Sequence, residues 1–196
     1  MATTSPRTET KTRMLDAAIT LLRRSGFHGA GINEILDVSG APKGSMYHFF
    51  PHGKRQIASE AITVYAQRVV TYMDASLASA TKPADKVHAL FRAVAERLER
   101  AEYRQSCAAG TTSLDLDDDL EAVRFAIVSM FSDCVDVISR HFAIADRRRR
   151  RSFAGLVLTA IEGGYIRGRA ERSTRALKDA AAWLAEIAER EASAAP

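Results

Sequence analysis

The stretch from Ile32 to Lys54 constrains the fold of this 196-residue chain more than any other part. Its first half carries apolar residues at the spacing of one buried helical face: Ile32, Ile35, Leu36 and Val38. Gly40 can adopt the left-handed conformation that ends a helix, and Pro42 suits the first turn of a second helix. A helix, a short turn and a second helix together predict a helix-turn-helix.

The second predicted helix divides into an apolar face and a polar face. Met46, Phe49 and Phe50 are expected to point inward. The opposite face carries polar or small residues: Lys43, Gly44, Tyr47 and His48. It therefore offers a cation, a bare backbone, a phenol and an imidazole near the amino end of a helix. Such a surface suits an anion or a nucleic-acid groove.

Composition and pattern favour an all-α fold with one large or two small domains. Hydrophobic residues make up 46% of the chain, and few stretches alternate apolar with polar residues. The two cysteines, Cys107 and Cys134, are too few for a disulfide framework and lack a metal-ligand spacing. The first residues lack the apolar core of a signal peptide, and no apolar run reaches the ~18 residues that span a bilayer. We expect a cytoplasmic protein without a membrane partner.

The positive charge is unevenly distributed. Residues 1–56 contain eight Lys or Arg and four Asp or Glu, whereas residues 57–196 contain twenty of each. The net charge of +4 therefore comes from the segment that contains the predicted helix-turn-helix. This asymmetry favours a nucleic-acid partner for the amino-terminal part.

Helical periodicity extends over most of the chain. Residues 1–8 are predicted to form a disordered, weakly basic arm, and residues 105–113 a loop. Further helices are predicted over residues 10–25, 55–80, 83–101, about 120–142, 152–169 and 174–191. Lys54 opens the second of these, where a cation opposes the helix dipole, so a contact with an anion is favoured over a structural role.

Two clusters of like charge allow more than one interpretation. Asp117–Asp119 is expected to cap a helix, because it lacks the alternating ligands of a divalent-cation loop. The five arginines of Arg147–Arg151 either contact DNA or form a solvated or ion-paired helix start, which is the favoured interpretation. They could also face the acidic cluster.

The last two predicted helices suggest a dimer interface. Three glycines interrupt the first of them, Gly163, Gly164 and Gly168, and each costs roughly 0.5–1 kcal/mol relative to alanine. A close approach between helices would offset that cost. The two helices either pair with those of a second copy as a four-helix bundle or pack onto their own domain. Ile161 and Leu184 are the positions predicted at the interface between copies.

Over Leu15–Ile57 the chain resembles the TetR family of one-component transcriptional regulators. The motifs that carry the resemblance are Gly26-Phe27, Ile32-x-Glu34-Ile35, the run from Ser39 to Phe50, and Lys54. The sequence Ala-Pro-Lys-Gly-Ser, followed by Tyr-His and by Phe-Pro-x-Gly-Lys, is most similar to the LmrA/YxaF-type branch. The remaining two-thirds is similar to the family only in the number and order of its helices.

The resemblance implies an amino-terminal three-helix DNA-binding domain at residues 1–54 and a helical ligand-binding and dimerisation domain at 55–196. It assigns base and phosphate contacts to the recognition helix: Lys43, Gly44, Ser45, Tyr47 and His48. It assigns a phosphate contact to Lys54. The chain departs from the family at Gly31, which lacks the usual hydroxyl, and at Pro42, where many relatives have a Ser or Thr cap.

The resemblance also implies a function. A homodimer would bind a palindromic double-stranded DNA operator, and a small apolar or aromatic effector would tilt the helix that begins near Lys54 and release it. Five aromatic residues are candidates for the effector pocket, although each also suits an ordinary core: Tyr65, Phe91, Tyr103, Phe125 and Phe131. No cofactor is expected.

Two other classes of function remain as alternatives. His48 and His52 have the spacing of a helical metal site, but Pro51 and Gly53 break the helix that would align them. The chain contains no phosphate-binding glycine loop, Cys/His cluster or nucleophile motif, which argues against an enzyme. The arginine run alone would support a membrane-surface or scaffold protein.

Overall fold

The computed structural model describes residues 6–193, with side chains from residue 7, and the secondary structure over this range is helical. The helices are α1 (Pro6–Gly29), α2 (Ile32–Ser39), α3 (Ser45–Phe49), α4 (Gly53–Ala78), α5 (Pro83–Arg100), α6 (Ala108–Ser113), α7 (Glu121–Arg140), α8 (Arg147–Glu171) and α9 (Arg175–Ser193). A short 3-10 turn, Asp118–Leu120, precedes α7. The all-α prediction is confirmed. Within residues 6–193 no helix has the length and apolar content that crossing a bilayer requires.

The described chain forms two compact units. The first contains the residues up to Tyr65 together with Cys107–Met130, and the second contains Ala66–Ser106 and the residues from Phe131 onward. Helix α4 contributes residues to both units. The segment Cys107–Met130 thus belongs to the same unit as the helix-turn-helix. The division predicted at residue 54 stays a prediction about domains.

The helix-turn-helix forms as predicted, with local corrections. Gly40 ends α2 with φ 62° and ψ 24°, a left-handed conformation that glycine adopts without a steric penalty. Val38 was predicted to be buried and is exposed, because the buried stripe of α2 continues from Ile35 and Leu36 to Ser39 instead. Helix α3 begins at Ser45 rather than Pro42, since a tight turn, in which the Ser45 N–H donates to the Pro42 carbonyl at 2.8 Å, comes first.

Two predictions about irregular segments were wrong. Most of the arm predicted over residues 1–8 lies outside the described residues, but residues 6–8 are already helical. The loop predicted over residues 105–113 contains α6, whose Ala108, Ala109 and Thr112 are buried. Helix α6 packs against α1 within the first unit. Its small residues give little periodic signal, so packing rather than sequence pattern stabilises this helix.

Helices α5, α8 and α9 form the core of the second unit. Pro83 opens α5, as predicted. A Cβ atom on Gly164 would lie 2.2 Å from Leu177 Cδ2, and one on Gly168 would lie 2.4 Å from Leu98 Cδ2. These two glycines therefore let α8 approach α9 and α5 within one subunit, whereas Gly163 faces open space.

The predicted interface residues Ile161 and Leu184 are buried in the core of the second unit. The prediction that they lie between copies is wrong. The apolar surface of α8 and α9 is broad enough to occupy both a core and an outer face, and the sequence pattern did not separate the two.

Both charge clusters serve as helix starts. The Asp117 carboxylate accepts a hydrogen bond from the Asp119 N–H at 3.2 Å, which confirms the capping prediction. The Asp146 carboxylate accepts from the Arg149 N–H at 2.6 Å and caps α8. Arg149 and Arg151 form ion pairs with Glu191 and Asp136. The ion-paired interpretation of the arginine run is therefore confirmed for these two residues.

Candidate nucleic-acid interface

The outward orientation of α3 is fixed by two buried side chains. Met46 and Phe50 are 1% and 0% exposed, and they anchor the inner face of the helix in the first unit. The Phe50 N–H donates to the Met46 carbonyl at 2.8 Å, and the Gly53 N–H donates to the Phe50 carbonyl at 2.8 Å. These bonds close α3 and lead directly into α4. The inner face was predicted correctly for these two residues, while Phe49 is half-buried.

The opposite face presents the predicted recognition residues together. Lys43, Gly44 and His48 are exposed, Ser45 is half-buried, and Tyr47 is 67% exposed. The His48 ring contacts Phe49 edge-on, with 5.0 Å between ring centroids. A Cβ atom placed on Gly53 would lie 3.9 Å from Tyr47 Cε1, so the tyrosine ring stands beside the start of α4. The face therefore offers several hydrogen-bonding groups that are free to meet a ligand.

Lys54 lies apart from this face and has partners of its own. Its Nζ donates to the His28 carbonyl at 3.3 Å and lies 4.6 Å from the centroid of the Phe27 ring. Burial lowers the pKa of the Lys54 ammonium, and the nearby Asp115 carboxylate partly opposes that change. The phosphate contact of Lys54 stays a prediction, since its ammonium is here bound to the end of α1.

The peptide of His28 is held from both sides. Its N–H donates to Asp115 Oδ2 at 3.1 Å, while its carbonyl accepts from Lys54. Asp115 follows α6 in the chain, so one residue at the end of α1 links the start of α4 to the segment after α6. The sequence gave no indication of this contact, because His28 and Asp115 are 87 residues apart.

A second tie joins the same two regions. Arg55 Nη2 lies 2.8 Å from Asp119 Oδ2, and both side chains are largely exposed. A groove of about 760 Å³ lies beside this pair, lined by both basic and acidic side chains: Lys54, Arg55, Asp119 and Glu121. Because its charges are mixed, the groove has no strong preference for phosphate. An exposed ion pair of this kind contributes about 0–1 kcal/mol to stability.

The metal alternative finds no support in the described residues. Pro51 and the turn at 51–52 separate His48 in α3 from His52, as predicted. Within residues 6–193, no three His, Cys, Asp or Glu side chains are grouped closely enough to hold a metal ion.

Known families match both parts of the chain. The family described as bacterial regulatory proteins, tetR family, matches residues 14–61. The transcriptional regulator LmrA/YxaF-like C-terminal domain matches residues 83–183, which is more than half of the chain. This chain belongs to the TetR family, in its LmrA/YxaF-like branch. As a TetR-family member it is a DNA-binding transcriptional regulator and not an enzyme.

Individual relatives agree with this assignment. The chain is 27% identical to the uncharacterized HTH-type transcriptional regulator YxaF of Bacillus subtilis over 82% of this chain and 85% of the relative. Among solved structures, a regulatory protein TetR from Rhodobacter sphaeroides is 19% identical with a TM-score of 0.78, covering 90% of this chain and 97% of that one. The TetR family regulator CifR, solved with 26bp double-strand operator DNA, is 18% identical with a TM-score of 0.71 over 100% of both chains.

Proposed function

We propose that this TetR-family regulator is a homodimeric repressor that binds a palindromic operator through α3 and is released by a small apolar or aromatic effector. The observation that carries the proposal is the outward face of α3, where Lys43, Tyr47 and His48 stand exposed on a buried anchor. Such a helix fits the major groove, where base edges are read. The function belongs in the cytoplasm, where the operator is accessible.

Each residue of this face has a proposed role. The Lys43 ammonium pairs with a phosphate or a guanine edge, and the bare backbone at Gly44 allows close approach to the duplex. Ser45 and Tyr47 contribute hydroxyl groups, and His48 contributes a ring nitrogen. Lys54 contacts a phosphate only if its ammonium leaves the His28 carbonyl. In a dimer, two such faces would read half-sites about 34–36 Å apart, or a multiple of that distance.

The dimer is proposed to form through the outer faces of α8 and α9. Leu156, Gly163 and Ile166 follow one stripe of α8 that points away from the core of the second unit, and Ile166 is 65% exposed. Trp183 on α9 is 70% exposed. Large apolar side chains concentrated on exposed helices are typical of association surfaces. These residues replace Ile161 and Leu184 as the proposed interface.

Replacing Ile166 with aspartate is expected to convert the dimer to monomers, because the new carboxylate would be buried without a partner. Sedimentation equilibrium measures the change, and gel shift should show a parallel loss of operator binding. Leu114→Asp is the matched control, since Leu114 is 80% exposed in the first unit and outside the proposed surface. A dimer unchanged by Ile166→Asp and by Trp183→Asp would contradict the proposed interface.

The operator is tested by selection from random duplex DNA. We expect the protein to enrich a palindrome, and a reporter driven by that sequence to be repressed by the protein in cells. Small apolar and aromatic compounds are then screened for release of the protein from this DNA. Failure to enrich any palindrome across a range of salt concentrations would refute operator recognition, and activation of the reporter would refute the repressor role.

A further inference from the structure

Arg13 lies beside the turn of the helix-turn-helix. It is exposed on α1, and its Nη1 is 3.9 Å from the point that a Cβ atom on Gly40 would occupy. Gly40 caps α2, is itself exposed, and precedes Lys43 by three residues. The guanidinium group of α1 is therefore placed next to the segment that leads into the recognition helix.

The guanidinium of Arg13 is not engaged by an acidic side chain. Its hydrogen bond within the described chain runs from Nη2 to Thr10 Oγ1 at 3.5 Å, one turn earlier on the same helix. Within residues 7–193, no carboxylate lies within ion-pair distance of it. Other cations of the first unit differ, since Lys11 lies 2.8 Å from Glu60 and Arg55 lies 2.8 Å from Asp119.

The dimensions of DNA explain what such a group can do. The major groove is about 12 Å wide, and an α-helix with its side chains is about 10–12 Å across. A helix that enters the groove therefore fills it, and the chain segments at its flanks lie over the phosphates of the rims. Arginine is suited to that position because its planar guanidinium can donate two parallel hydrogen bonds to one phosphate.

We propose that Arg13 binds a DNA phosphate at the rim of the groove beside the turn 40–42, and so positions α3 without reading bases. This assignment rests on the proposed function, since it requires that α3 enters the major groove. It adds a contact from α1 to those of the recognition helix. The partner is a backbone phosphate of the operator duplex.

The test compares two variants that remove one positive charge from the same helix. Arg13→Gln removes the unengaged cation, and Lys11→Gln removes a cation that is paired with Glu60 and lies 5.3 Å from the Phe50 ring centroid. Affinity for the selected operator and for random duplex DNA is measured across a salt series. Thermal unfolding of both variants establishes that each is folded, and Arg13→Lys retains the charge without the planar donors.

Arg13→Gln is expected to weaken binding about tenfold on both DNAs and to reduce the log–log salt slope by ~0.9. Lys11→Gln should leave the slope near that of the wild type, and Arg13→Lys should keep the slope with intermediate affinity. Equal losses in Arg13→Gln and Lys11→Gln would overturn the proposal, because net charge alone would then explain them. A loss confined to the operator would overturn it as well, since Arg13 would then read a base.

The proposed function and this inference fail in different ways. If the wild-type protein selects no sequence, operator recognition itself is refuted. If the wild-type protein is selective and Arg13→Gln binds as tightly as it does, only the phosphate contact of Arg13 is refuted.

Discussion

Replacing Tyr47 with alanine should weaken operator binding about ten- to a hundredfold while leaving the free energy of unfolding within about 0.5 kcal/mol of the wild type. Tyr47 is 67% exposed and lies on the outward face of α3, so its removal takes little packing from the protein. A specific contact in the groove contributes about 1–3 kcal/mol, and 1.4 kcal/mol corresponds to a factor of ten in affinity. Surface substitutions seldom change stability further than stated.

Met46→Ala is the matched control on the same helix. Met46 is 1% exposed, so its truncation leaves a cavity and should lower the free energy of unfolding by about 2–5 kcal/mol. Fluorescence anisotropy on the selected operator and urea unfolding measure the two quantities. Tyr47→Phe separates the hydroxyl from the ring, because it keeps the apolar contact alone. Wild-type affinity in Tyr47→Ala would contradict the assignment of this residue to the DNA face.

The inner and outer faces of α3 were predictable because the helix is amphipathic over a very short distance. Met46 and Phe50 are four residues apart, and both are buried, while Tyr47 and His48 between them are exposed. Where the period is less strict, the prediction failed. Val38 is apolar but lies off the stripe that buries Ile35 and Leu36. Residue type alone did not decide burial there, and position on the helix did.

Contacts between distant segments were beyond reach of the sequence. A cation at the start of α4 was correctly singled out at Lys54, but its partners in the structure are the His28 carbonyl and the Phe27 ring. Asp115 bonds to the same His28 peptide from 87 residues away. Periodicity and capping are local signals, and neither can report which carbonyl a lysine will find in the folded chain.

The interface between copies was misplaced for a related reason. Helix α8 carries apolar residues on two sides, so its pattern alone could not tell the side that meets α9 from the side left open. Gly164 and Gly168 allow close packing within the subunit, whereas Gly163 lies on the open side with Leu156 and Ile166 exposed. A broad apolar stripe thus predicts burial of a helix correctly without deciding which partner buries each part of it.

Replacing Gly26 with alanine should lower the free energy of unfolding by about 2–5 kcal/mol. Gly26 has φ 69° and ψ −167°, a backbone region that is essentially restricted to glycine, and strain there costs about 1–3 kcal/mol. A Cβ atom would also lie 2.3 Å from Asp115 Oδ2 and 3.2 Å from the Thr111 carbonyl. Moving Asp115 away would break its bond with the His28 N–H, and an unsatisfied donor costs about 1–3 kcal/mol when it is buried.

Urea unfolding measures the loss, and two further variants identify its cause. Gly155→Ala is the control for glycine itself: Gly155 lies within α8 with open space where the Cβ atom would stand, so this change should raise stability by about 0.5–1 kcal/mol. Asp115→Ala removes the side chain with which the new methyl group would collide. If the collision contributes, Gly26→Ala should cost less in the Asp115→Ala background than alone, while the backbone strain persists in both. Wild-type stability in Gly26→Ala would mean that the kink at the end of α1 does not require glycine.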